Sequence, residues 1–486
     1  MELLRRALLV LASLLAGLLL ASGAEETKRL AITHVAVVDT TSGEIRADQT
    51  VVIAGGKIIR IVAAPMYRPE AGAQLIDARG KYLIPGLWDM HVHIAGISAD
   101  PKWSKEVLLP LLTAMGITGV RDMGGDLSVL QEWRREIDSG KLIGPRIVAG
   151  GPMLISGGKK TPEQIPIKNA EEAREAVRSL KLAGADFIKI IDLPSREAFF
   201  AVADEAKRQN LPFVGHVPPV VTASEASEAG MRSIEHVVYS NLEMDCSANG
   251  DELRAAERAA RATHEEGASA RLLQEAMTSY DPQKAAALWE RFRRNGTWLV
   301  PTLVSIEALS RHNVAPETQV NDPRLEYVPD SLRKEWDPRK PENKFSAGEQ
   351  QWWAQQYIND GKMTAAMHKG GVALLAGSDS LDRYVFPGFA LHRELELLTE
   401  AGLTPLEALR AATSDAAKFL GREGEFGVVA NGAHADLVLL EENPLKKISN
   451  TTKISAVIRE GVYLDRAALD RMLSQARAAA KAASPR

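Results

Sequence analysis

Five side chains of metal-binding type and one misplaced lysine stand out in this sequence. Asp89-Met90-His91-Val92-His93-Ile94 sets two imidazoles two residues apart. In an extended strand such residues point to one side, so His91 and His93 can grip one ion while Met90, Val92 and Ile94 turn toward packing helices. Imidazole suits Zn, Fe, Co, Ni or Mn to varying degrees. A bare His-x-His also occurs on ordinary surfaces, but the preceding Ile84-Pro85-Gly86-Leu87-Trp88 would seat this one at the start of a buried sheet. His216 in Phe213-Val214-Gly215-His216-Val217, His236 in Ser233-Ile234-Glu235-His236-Val237 and Asp379 in Leu374-Leu375-Ala376-Gly377-Ser378-Asp379 stand near the ends of further apolar runs. Singly, each histidine reads equally as a hydrogen-bonded core residue; together they read as ligands.

Lys189 interrupts Phe187-Ile188-Lys189-Ile190-Ile191, a run otherwise apolar enough for a buried central strand. A buried ammonium is costly and its pKa falls. The neutral amine can add carbon dioxide and become a carbamate, whose two oxygens can bridge two ions. The other reading is a lysine that snorkels to solvent at the strand end. His34, His264, His312, His368 and His434 read as structural or solvated. Cys246 is the lone cysteine, which excludes an internal disulfide and a thiolate zinc site.

Short apolar strands alternating with helical patterns imply βα units and a parallel sheet. Eight candidate strands follow: Asp89–Ile94, Gly116–Met123, Arg146–Gly150, Asp186–Ile191, Phe213–Val217, Ser233–Val237, Thr297–Leu303 and Ala373–Asp379. They predict an α/β chain with a (β/α)8 TIM barrel over residues 86–424, whose chemistry sits at the C-terminal strand ends. Insertions fall around 245–290 and 305–360, the second carrying Trp336, Trp352, Trp353 and Tyr357. Residues 25–85 and 425–465 are both rich in strand patterns and predict one small β-sandwich domain assembled from both chain ends. Ala54-Gly55-Gly56-Lys57 is a hairpin turn within it. Residues 466–486 predict a C-terminal helix.

The 486 residues, 45% apolar and 25% charged, describe an ordinary globular protein. A net charge of −4 without a basic cluster argues against a nucleic-acid partner. Arg5-Arg6, the apolar run Ala7 to Leu20 and the small residues Ser22-Gly23-Ala24 read as a signal peptide over residues 1–24. The expected protein is therefore exported, periplasmic or secreted, with no stable membrane anchor. A retained anchor is the competing reading.

His91-x-His93, Lys189, His216, His236 and Asp379 on successive strands resemble the amidohydrolase superfamily, over about residues 28 to 465. Gly184-Ala185-Asp186-Phe187-Ile188-Lys189, Leu391-His392-Arg393-Glu394-Leu395, Gly402-Leu403-Thr404-Pro405-Leu406-Glu407-Ala408-Leu409 and Ala435-Asp436-Leu437-Val438-Leu439 are similar to its imidazolonepropionase-like branch, including secreted Xaa-Pro and related dipeptidases. The resemblance implies two divalent ions, zinc by type, with His91, His93 and Asp379 on the more buried one, His216 and His236 on the other, and carboxylated Lys189 bridging both. It implies hydrolysis of an amide, peptide or cyclic amide C–N bond by a hydroxide shared between the ions, with Asp379 moving the proton. Tyr239 matches a substrate-contacting tyrosine, and His392 a supporting or structural position. Where the dipeptidases carry Gly-Gly-His-Gly, this chain has Ser156-Gly157-Gly158-Lys159-Lys160, so dipeptide specificity does not carry over. Two alternatives stay open: a mononuclear deaminase or imidazolonepropionase-like hydrolase, and a non-catalytic binding protein on the same scaffold. The expected partner is a small-molecule amide or dipeptide, and homo-oligomerisation is open.

Overall fold

The computed structural model describes residues 29–96, 100–263, 265 and 267–483; the signal segment over 1–24 and His264 lie outside the described residues. The chain begins with strands β1 (Leu30–Val38), β2 (Ile45–Ala54), β3 (Lys57–Ala63), β4 (Gln74–Asp77) and β5 (Tyr82–Pro85). The β2–β3 hairpin turns at Gly55 and Gly56, both at positive φ (56° and 72°), as the tight right-twisting hairpin requires.

Next come β6 (Leu87–Val92), β7 (Ile117–Asp122), β8 (Arg146–Ala149), β9 (Met153–Ser156), β10 (Gln164–Ile167), β11 (Ile188–Ile190), β12 (Phe213–Gly215), β13 (Ser233–Glu235) and β14 (Trp298–Val300). β6, β7 and β8 pair in parallel, as do β11, β12, β13 and β14. The Asp186 amide donates to Ala149 O at 2.9 Å and joins the two runs. At the other side residues 372–380 close the ring: Leu299 donates to Ala373 O at 3.0 Å, and Met90 donates to Ala376 O at 2.9 Å. The result is a curled parallel sheet with helices around it.

Most ladders are shorter than the candidate strands, while β6 keeps six residues but begins two earlier, at Leu87. Beyond the ladders the strand ends still bond across the ring: His216 N donates to Ile190 O and His236 N to Val300 O, both at 2.9 Å, and Asp379 N donates to His91 O at 2.8 Å. β9 and β10 form an additional parallel pair after β8 that the sequence reading did not separate. A second correction concerns parity. Met90 packs in an apolar cluster with Trp88, Phe187, Val214, Val300 and Leu375 and not among the outer helices. The β6–β7 pairing shifts register between Asp89 and Val92, and such a bulge re-aims side chains. Val92 and Ile94 do join the cluster that includes the helical residues Leu109, Leu112 and Leu130.

The insertions are helical, with α1 (Gly250–Thr263), α2 (Ala268–Thr278) and α3 (Pro282–Asn295) in the first and α4 (Ala347–Lys369) in the second. After α5 (Phe389–Glu400) the chain returns through β15 (Leu437–Leu440), β16 (Ile454–Arg459) and β17 (Val462–Asp465), then ends in α6 (Arg466–Ala482). These strands join β5, β1, β2 and β3 in one sheet of order β17-β16-β15-β5-β1-β2-β3, with β4 on β1. Period-two alternation divides β15: Leu437 and Leu439 enter a cluster drawn only from the end segments, while Val438 and Leu440 pack with the ring's helices. Asp436 accepts from Arg146 Nε at 2.7 Å and from Arg459 Nη1 at 3.0 Å, tying the sheet to the ring. Among the described residues no helix is long and apolar enough to cross a membrane.

Candidate metal centre

At the C-terminal ends of the ring strands the backbone takes up conformations that side chains usually avoid. His236 and Asp379 both have a φ of 60°, which costs a non-glycine residue about 1 kcal/mol or more. At His236 the turn lets consecutive residues, Glu235 and His236, both face the axis. The return is convergence. His91 Nε2 and His93 Nε2 each lie 3.3 Å from Asp379 Oδ1, and His236 Nε2 lies 3.8 Å from Asp379 Oδ2. Donor atoms of His91, His236 and Asp379 all fall within 4.8 Å of one another. The His216 ring is 5.0 Å from that of His236.

The far nitrogens settle which atoms are free. His91 Nδ1 meets Glu235 Oε2 at 2.9 Å, His93 Nδ1 meets Gly124 O at 3.1 Å, and His236 Nδ1 meets Thr302 Oγ1 at 2.6 Å. Each partner is an acceptor: a carboxylate, a carbonyl, and a hydroxyl whose own hydrogen goes to Pro301 O. All three Nδ1 atoms therefore carry the proton and present an Nε2 lone pair to the centre, the arrangement that orients histidine ligands. Burial lowers the pKa of His91 to about 4, that of His236 to about 3, and that of His216 well below the ordinary value. These imidazoles are neutral at pH 7. For His93 burial works the same way, but the Asp379 carboxylate outweighs it and the pKa rises. Burial pushes the Asp379 carboxyl up, but the hydrogen bond and charge of His93 act against it and the group stays below its ordinary value.

A divalent ion fits this set on two observations. His91 Nε2 and Lys189 Nζ are both buried without a hydrogen-bond partner, and the donors are imidazole and carboxylate, which suit such ions. Lys189 is fully buried, so the solvent-reaching alternative does not hold. Burial brings its pKa down to about 8, against the pull of Glu235 and Asp379.

Below the rim lies a polar layer that the sequence reading missed. Arg121 donates to Met90 O, Ser233 Oγ and Glu235 at 2.6, 3.0 and 2.8 Å. Glu235 stays ionised because Arg121 and His91 outweigh the burial that would protonate it. Asp89 accepts from Ser378 N at 2.9 Å and Ser378 Oγ at 2.6 Å, fixing the residue before Asp379. Val120-Arg121-Asp122 carries the same signal as Lys189, a charge inside an apolar strand.

Tyr239 stacks on His216 with centroids 5.7 Å apart, at the wall of a cavity of about 700 Å³. His392 lies away from the cluster, bonded to Thr451 Oγ1 and Met115 O, both at 2.9 Å, and holds α5 in place. Cys246 is buried, and that burial raises its thiol pKa, as suits a structural residue.

The pattern of the Amidohydrolase family matches residues 82–464. Ochratoxinase of Aspergillus niger is 24% identical over 478 residues, covering 86% of this chain and 83% of its own. Among solved structures, bottromycin amidohydrolase has a TM-score of 0.71 at 24% identity, covering 94% of this chain and 92% of its own. A Xaa-Pro dipeptidase with methionine bound in its active site has a TM-score of 0.65 at 22% identity, covering 90% of this chain and 100% of its own. At these identities the solved structures speak to the fold.

Proposed function

Because the chain belongs to the amidohydrolase family, and is a hydrolase acting on C–N bonds, we propose that it is an exported, metal-dependent enzyme that cleaves an amide, peptide or cyclic amide. The observation that carries this reading is the convergence of three Nε2 atoms on one carboxylate beside an unpartnered buried lysine. In full, the proposal is a (β/α)8 barrel with a β-sandwich built from both ends. His91, His93 and Asp379 would hold one zinc-type ion and His216 and His236 a second, with Lys189, once carboxylated, as a ligand shared between the two groups. When bound, such ions lower the pKa of water and polarise a carbonyl oxygen.

The chain's own groups do the rest. Neutral His91, His216 and His236 offer lone pairs without first losing a proton at pH 7. Lys189 Nζ, once deprotonated, forms a bond to the carbon of carbon dioxide and releases its second proton, giving an anion where the strand otherwise buries an ammonium. Asp379, held against three imidazoles, takes the proton from the attacking water and gives it to the leaving nitrogen. Tyr239 borders the substrate beside His216. The mononuclear alternative leaves Lys189 without a use. Periplasmic or secreted localisation is part of the proposal and is tested by sequencing the N-terminus of the mature protein, expected near Glu25. Hydrolysis is tested by screening the purified protein against N-acyl amino acids, dipeptides and lactams, with and without prior metal stripping. Activity that survives complete stripping would overturn the metal reading.

A further inference from the structure

The groups flanking the scissile bond are written in the wall of the cavity beside His216. Trp352 and Trp353 line it together with Tyr239, Val217 and Leu273. The two tryptophan rings stand T-shaped with centroids 4.4 Å apart, and Trp353 is 6.4 Å from Tyr239, which stacks on His216. An unbroken aromatic run thus leads outward from the candidate metal centre. Its tryptophans sit near the start of α4, which is held firmly. Ser346 and Glu349 cap it reciprocally, and Gln356 Nε2 donates to Glu243 Oε1 and to Asp360 Oδ1, both at 2.6 Å. A wall fixed in this way is organised before a ligand arrives.

Charge narrows the choice further. The lining carries Asp192, Glu257 and Glu349 against one guanidinium, Arg261. That guanidinium is already engaged, with Nε 2.8 Å from Glu257 Oε1 and Nη1 3.5 Å from Asp192 Oδ2. Arg261 is the one cationic side chain among the described lining residues, and it faces the carboxylates of Glu257 and Asp192. An anionic group here would lie beside three carboxylates and one guanidinium, whereas a neutral ring can pack against the indole and phenol rings that form the wall.

We propose that this cavity selects amides bearing an aromatic ring, neutral or cationic, on one side of the scissile bond and discriminates against an anionic group at that place. A volume of about 700 Å³ matches a ligand of drug size more closely than two small amino acids. The inference rests on the C–N hydrolase reading and adds the substrate class.

The test uses the metal-replete enzyme and two matched series. One varies the acyl side: N-acetylglycine, N-benzoylglycine and N-(4-carboxybenzoyl)glycine. The other varies the amine side at similar leaving-group basicity: N-methylacetamide, N-benzylacetamide and 4-(acetamidomethyl)benzoate. In at least one series kcat/KM for the neutral ring should exceed both other members by about tenfold or more, the discrimination a well-filled apolar contact supplies. Trp353→Ala should shrink that ratio severalfold, as should Trp352→Ala, while the circular dichroism spectrum stays that of the native protein. Cleavage in both series with no preference for the ring, equal use of the anionic ring, or a ratio untouched by either tryptophan variant would overturn the inference alone. Cleavage of no member of either series would overturn this inference, and the C–N hydrolase reading would fall with it only if dipeptides and lactams were also left intact.

Discussion

Two buried cations sit one above the other in the ring, and the protein treats them in opposite ways. Arg121, in the lower layer, has its guanidinium bonded to a carbonyl, a hydroxyl and a carboxylate. Lys189, at the rim, has none of these, although both side chains are fully buried. A paired buried charge is a structural device; an unpaired one is held at a cost of several kcal/mol unless something else occupies the space. Under the proposed function, the lower layer is scaffold and the rim the working site. His91 joins them, with Nδ1 on Glu235 in the layer below and Nε2 facing the rim.

The comparison can be broken most sharply at Arg121. Arg121→Met leaves Glu235 buried without its counter-charge and should lower the unfolding free energy by about 3–5 kcal/mol, read from denaturant titration. In metal-stripped protein, Lys189→Met should change stability by less than ~1 kcal/mol or raise it, since an apolar group replaces an uncompensated charge. If the two variants lost equal stability, Lys189 would belong to the scaffold.

At the rim the effect should appear in activity. Lys189→Arg keeps a cation but cannot take up carbon dioxide, so turnover should fall by more than about 100-fold, beyond the loss typical of residues that only support a ligand. Lys189→Ala should also lose turnover, and acetate or propionate should restore part of it. Near-native turnover of Lys189→Arg would remove the carbamate and favour the mononuclear alternative.

Glu235→Gln tests the connection between the layers. It weakens the hold on His91 Nδ1 and should reduce affinity for zinc by about 10–100-fold in chelator competition. Unchanged affinity would make Glu235 part of the scaffold alone.

The last effect, read per pH unit, concerns a buried acid outside both layers. Glu394 accepts from the Val304 amide at 2.8 Å, and burial raises its pKa from 4.5 to about 8. The folded protein keeps a proton that the unfolded chain releases, so stability falls as pH rises through this window. Glu394→Gln should flatten that fall by up to about 1.4 kcal/mol per pH unit. Identical pH profiles for both proteins would show that the acid is not held protonated.

The sequence made the rim more legible than the layer beneath it. The parallel sheet, the hairpin at Gly55-Gly56 and the six rim residues follow from periodicity and from residues of the wrong type for their surroundings. Arg121 and Glu235 stayed hidden for different reasons. Arg121 breaks an apolar strand as Lys189 does, but its meaning depends on partners 112 and 114 positions away. Glu235 precedes a histidine, and strict alternation puts the two on opposite faces; only the positive φ of His236 brings both inward. Met90 was misread because period two fails at the register shift in β6. Residues 372–380 carry a strand's sequence and bond to both neighbouring strands, Leu375 N to Leu299 O at 2.9 Å and Asp379 N to His91 O at 2.8 Å, which delivers Asp379 to the rim.

The central claim, that the rim is unpaired because it is built for metal, is tested most directly by elemental analysis of the active wild-type protein purified without chelator. The account predicts close to two divalent ions per chain, zinc foremost, with at least one lost in Lys189→Ala. Fully active protein containing no bound metal would contradict it.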